Sequence, residues 1–133
     1  MPGEGGGATL TPQPRARLLG SVLAGAAFAL VAFATAPVAA LVSRMCWRSS
    51  GVTVPYGLAL SAAGSMALVA LARASSRLHG FVAGGAWLVG LAAVVRSTAG
   101  GGFLVAGDSL GWAFLVVDTV GVLAVLLWGG GRR

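Results

Sequence analysis

Residues 110–128, LGWAFLVVDTVGVLAVLLW, decide how this chain folds. A helix of that length rises about 28 Å, close to the ~30 Å hydrocarbon thickness of a bilayer. One charged residue interrupts the apolar run, Asp118, and it stands near the middle. Three further runs share this character: Leu18 to Val42, with no charge; Pro55 to Ala72, between Arg48 and Arg73; and Gly80 to Val95, between Arg77 and Arg96. None alternates with the two-residue period of a strand over a strand's length, and a membrane barrel needs about eight strands or more. The sequence predicts an all-α fold of four transmembrane helices, over 18–42, 55–72, 80–95 and 110–128, in a membrane domain of residues 18–129.

Composition agrees. Of 133 residues, 57% are hydrophobic and 9% charged, and the mean hydropathy is +0.91. A soluble domain carries about 25% charged residues, so this chain has too few polar side chains to clothe a wet surface. The net charge of +6 comes from nine basic residues, all Arg, against three acids. The arginines stand singly or in pairs beside apolar runs, with no aromatic-interleaved basic patch. They read as positive flanks of membrane spans, and no nucleic-acid partner is expected. One cysteine, Cys46, and one histidine, His79, leave no intramolecular disulfide and no metal-ligand set, so no cofactor is expected. There is no Cys–His pair, no paired carboxylates and no phosphate-cradling loop followed by Lys, and an enzyme is not expected.

Arginine counts in the short loops set the orientation. With the N-terminus inside, Arg15, Arg17, Arg73, Arg77, Arg132 and Arg133 face the cytoplasm, and Arg44, Arg48 and Arg96 face outward. Both termini are therefore predicted cytoplasmic, in a multi-pass protein of the cell (plasma) membrane. Trp47, Tyr56 and Trp112 would mark the outer interface and Trp128 the inner one, where amphipathic rings prefer to sit. The first run also carries marks of a secretory signal peptide, with a basic start, an apolar middle and Ala34-Thr35-Ala36. Its continuation to Val42, and Pro37 directly after that tripeptide, favour a retained helix. Residues 1–17, opening MPGEGGGATLTPQP, are Gly- and Pro-rich and predict a disordered cytoplasmic tail, and residues 130–133 a short basic one. The loop RSTAGGGFLVAGDSLG reads as a solvent-facing turn, with Phe103, Leu104 and Val105 as the residues able to dip into the outer leaflet.

Lipid tails are as apolar as leucine, so membrane helices associate through close packing and polar contacts. Gly57, Ser61 and Ser65 fall on one face of the second predicted helix, and Gly80 and Gly84 on one face of the third. Pro37 removes a backbone donor from the first helix and should kink it. An ionised aspartate at mid-span costs about 2.5–3.5 kcal/mol on insertion scales, and no arginine lies within any span to pair with Asp118. In either protonation state the carboxyl needs hydrogen-bond partners. Ser61, Ser65 and Trp87 lie at similar depth, and an intramembrane polar cluster of Asp118 with Trp87, Ser61 or Ser65 is expected. The competing reading gives Asp118 a proton or cation to relay, as intramembrane carboxylates do in transporters. His79 reads as a solvated flank at the start of the third helix, and Asp108 as a solvated acid or a cap of the fourth.

From Arg96 through Gly121, RSTAGGGFLVAGDSLGWAFLVVDTVG, the last third of the chain resembles small four-span integral membrane proteins of actinobacteria. The resemblance rests on a short polar turn leading through Phe103-Leu104 and Gly107 to a final helix with Phe114-Leu115. It implies a four-span fold and brings no activity and no site residue. The function expected from the sequence is a non-enzymatic structural or accessory membrane subunit, with the lipid bilayer and a second copy or larger membrane protein as partners. A small homo-oligomeric transporter or channel using Asp118 is the alternative.

Overall fold

The computed structural model describes residues 14–97 and 108–128. It is helical, with α1 at Pro14–Val42, α2 at Tyr56–Ser75, α3 at Arg77–Ser97 and α4 at Ser109–Trp128. Each helix is long and apolar enough to cross a membrane. The helices run past the apolar runs that announced them, because a helix does not stop where its side chains turn polar; it stops where a breaker or a cap intervenes. Pro14 suits a first helical position, where its missing N–H leaves no bond unmade, and nothing in Arg15-Ala16-Arg17 breaks the turn. Residues 14–17, expected in the tail, are therefore helical. The rest of that tail, the Gly-rich loop with Phe103, Leu104 and Val105, and the basic C-terminal tail lie outside the described residues.

Where the sequence suggested a loop over 73–79, the chain reverses in one residue. Ser76 is extended, and its Oγ accepts the His79 N–H at 3.0 Å, capping the first turn of α3. At the far end Asp108 Oδ1 accepts the Gly111 N–H at 2.8 Å and caps α4. Between α1 and α2 stands an element that hydropathy did not announce, an antiparallel hairpin of β1 (Trp47–Ser49) and β2 (Val52–Val54). Trp47 pairs with Val54, and Ser49 with Val52. The turn residues Ser50 and Gly51 have φ of 48° and 86°, the two left-handed positions that a two-residue hairpin turn requires. Strands of three residues lie below the length at which alternation can be read.

α2 and α3 form the middle of the bundle. α1 packs chiefly on α3 and α4 chiefly on α2, while α3 and α4 touch little. The core includes Ala32, Ala36, Val69, Ala83, Trp87, Phe114 and Val122. The most extensive seam lies between α1 and α3. Pro37 cannot donate to the Phe33 carbonyl one turn earlier, and that carbonyl faces Gly90. A Cβ built on Gly90 would lie 2.7 Å from Phe33 O and 3.0 Å from the Ala36 Cβ. The hydrogen that replaces Cβ points at the freed carbonyl, a weak C–H···O contact open only to glycine. α1 runs unbroken through Pro37. Its outward residues, Leu18, Leu19, Val22, Leu23, Leu30 and Leu41, are exposed; a bilayer is the solvent that suits such a surface.

Candidate functional site

α4 turns Gly111, Phe114, Asp118, Val122 and Leu126 inward, spaced three or four apart on one face. α2 turns Ser61 and Ser65 toward it, among the buried residues of its own inner face. Residues four apart lie one above the other on a helix, so the two hydroxyls straddle the carboxylate. Ser61 Oγ donates to Asp118 Oδ1 at 3.3 Å, and Ser65 Oγ to Oδ2 at 3.1 Å. Asp118 is 0% exposed. Ser61 also meets the Leu58 carbonyl at 3.0 Å, so its single hydrogen serves two acceptors and Ser65 makes the less contested bond.

Trp87, expected in the same cluster, is not part of it. Its indole Nε1 is buried and has no hydrogen-bond partner among the described residues. The reason is topological: Trp87 rides on α3, which touches α4 little, and both oxygens of Asp118 are engaged by α2. Ring volume in the core is what Trp87 contributes.

His79 is not a solvated flank. It is buried at the junction of α1, α2 and α3, with Gly25 of α1 against its ring. Its Nε2 lies 3.0 Å from the Ser21 carbonyl and its Nδ1 3.1 Å from Ser75 Oγ. A carbonyl can only accept, so Nε2 carries the hydrogen, and in the neutral ring Nδ1 accepts from Ser75. The single-residue turn at Ser76 pulls His79 inward, and from outside the bundle that turn was not visible. Arg73 likewise does more than flank a span. Its Nη1 donates to the carbonyls of Val125 and Leu126 in the last turn of α4, where a helix leaves carbonyls without a partner among its own described residues. Arg15, Arg17 and Arg77 are exposed, and Arg132 and Arg133 lie outside the described residues. At the opposite end Arg44 stands 3.8 Å from Asp108, both partly exposed, a pair that stabilises little.

The small residues singled out from spacing serve different contacts. A Cβ on Gly57 would lie 2.0 Å from the Val42 carbonyl, at the corner where the chain leaves α1; on Gly80, 2.8 Å from the Arg73 Cβ; on Gly84, 2.7 Å from a Leu126 methyl. Gly90 and Gly121 make comparably close approaches, to Phe33 and Met66. Among the described residues no group of three or more His, Cys, Asp or Glu is placed to hold a metal ion. No protein-family model, curated protein or solved structure matches the chain.

Proposed function

We propose that this protein is a non-enzymatic structural or accessory subunit of a membrane, working through the packing of its helices with a second copy or a larger membrane protein. The observation that carries the reading is the state of Asp118: fully buried, with one serine hydroxyl on each oxygen, in the seam between α2 and α4. A relay needs a group to hand the proton or cation on, and among the described residues the other acid, Asp108, stands at the start of α4, far along the helix. A carboxyl so placed is interhelical glue. The orientation proposed from the arginines puts both termini in the cytoplasm, and the plasma membrane is the proposed location. The likeness of the last third to four-span actinobacterial membrane proteins supports the same class.

The test is purification in mild detergent, followed by reconstitution into proteoliposomes. A subunit co-purifies with a partner, or with itself, in a fixed ratio and gives no flux alone. Proton- or cation-driven flux from the purified protein, abolished by Asp118→Asn, would make transport the function instead.

A further inference from the structure

The end of the bundle where α2 stops and α3 begins carries Arg15, Arg17, Arg73 and Arg77 and, among the described residues, no acidic side chain. Three of the four arginines extend from the surface. Arg73 is held. Its stem lies across Gly80, where a Cβ would come within 2.8 Å of the Arg73 Cβ, and Nη1 is fixed by two carbonyls of α4. A guanidinium has five N–H donors in a rigid fork. Both hydrogens of Nη1 are used, while Nε and Nη2 have no partner among the described residues. That remaining edge presents two parallel N–H groups, the geometry that takes two oxygens of a phosphate or carboxylate at once.

Arg73 also lines an open cleft of about 390 Å³, whose other walls among the described residues are Ala70, Ala74 and Val125. The walls are apolar and small, and they continue into the membrane-facing surfaces of α2 and α4. Helix ends modify the local charge without reversing it. The C-termini of α2 and α4 each bring about −0.5 charge and the N-terminus of α3 about +0.5, against full charges on Arg73 and Arg77.

We propose that this cleft is a binding site for the phosphate of an anionic phospholipid, with the Nε–Nη2 edge of Arg73 on the phosphate oxygens and an acyl chain along Ala70, Ala74 and Val125. A lipid is favoured over free phosphate because, among the described residues, every wall but Arg73 is apolar, and the cleft lies at the end of two membrane spans. The site rests on the membrane-spanning reading and is independent of the role given to Asp118.

Native mass spectrometry of the intact protein in detergent tests it, with phosphatidylglycerol, phosphatidylcholine and inorganic phosphate as probes. The wild type is expected to retain one phosphatidylglycerol about fivefold more tightly than phosphatidylcholine, and inorganic phosphate not at all. Two variants separate binding from folding. Arg73→Lys keeps a cation for the α4 carbonyls but loses the fork, and Ala74→Leu fills the cleft while leaving Arg73 in place. Each is expected to abolish the preference at unchanged helix content by circular dichroism. A preference that survives Ala74→Leu overturns the proposal, as does a wild type without preference. Equal retention of inorganic phosphate overturns the lipid assignment. A preference that emerges only once residues 129–133 are removed also overturns it, because the chain's own C-terminal segment then holds the fork.

Discussion

Asp118 shows how a membrane interior turns a costly residue into a specific one. Its two oxygens take one hydroxyl each from Ser61 and Ser65, and hydrogen bonds between membrane helices contribute roughly 0.6–1.7 kcal/mol each. Asp118→Asn preserves an acceptor for Ser65 and adds donors for Ser61, so its stability in a detergent unfolding titration should stay within about 0.5 kcal/mol of wild type. Asp118→Leu and Ser65→Ala should each lose about 1 kcal/mol; an Asp118→Leu protein as stable as wild type would show that the seam does not depend on the carboxyl. Trp87 gives the contrasting case. Trp87→Phe removes no hydrogen bond, so it should cost only the change in ring volume, about 1–2 kcal/mol. In a double-mutant cycle it should be additive with Asp118→Asn to within about 0.5 kcal/mol. Coupling well beyond that would put the indole on the carboxyl after all.

At the scale of elements, contact between α1 and α3 turns on the absence of a side chain. Gly90 sits against Phe33 O and Ala36 Cβ, while Gly85 on the same helix has nothing within 4 Å. Gly90→Leu must therefore push α1 away from α3 and is expected to destabilise the bundle by about 1–3 kcal/mol or more, as overpacking does. Gly85→Leu, facing lipid, should be nearly neutral. A Gly90→Leu variant that unfolds like wild type would mean that the seam yields without cost. α1 depends on such contacts more than its neighbours do, because so little of its length is buried. The His79 bond to the Ser21 carbonyl and the Gly90 approach hold it at opposite halves of the span.

Over the whole molecule, the antiparallel order of four spans brings the start of α1 and the finish of α4 to one end, beside Arg73, Arg77 and the Ser76 turn. The Trp47–Val54 hairpin and the cap of α4 lie at the other. In a Cys46→Ser background, Ser50→Cys should react with a membrane-impermeant maleimide in intact cells, and Gly130→Cys only after permeabilisation. The reverse pattern would invert the orientation proposed from the arginines. The exposed Trp47, Tyr56 and Trp112 at one end and Trp128 at the other match the two interfaces at which aromatic rings gather.

The sequence by itself determined the number of spans, their approximate places and the presence of an acid among them, because these depend on hydrophobic length and composition, which are local properties. It also brought Ser61 and Ser65 into range of Asp118, since helical spacing and shared depth are both countable along a chain. The hairpin was out of reach because three-residue strands carry no readable period. Only the tertiary structure decided that Asp118 turns to α2 and away from Trp87, that His79 is drawn inside, that Arg73 reaches across to close α4, and that Gly90 is where α3 meets the backbone of α1. Each depends on how the helices are rotated and which of them are neighbours. In a chain so rich in alanine, glycine and leucine, nearly every face looks alike to a periodicity argument, and the choice falls to a few polar atoms and missing side chains whose partners lie more than fifty residues away.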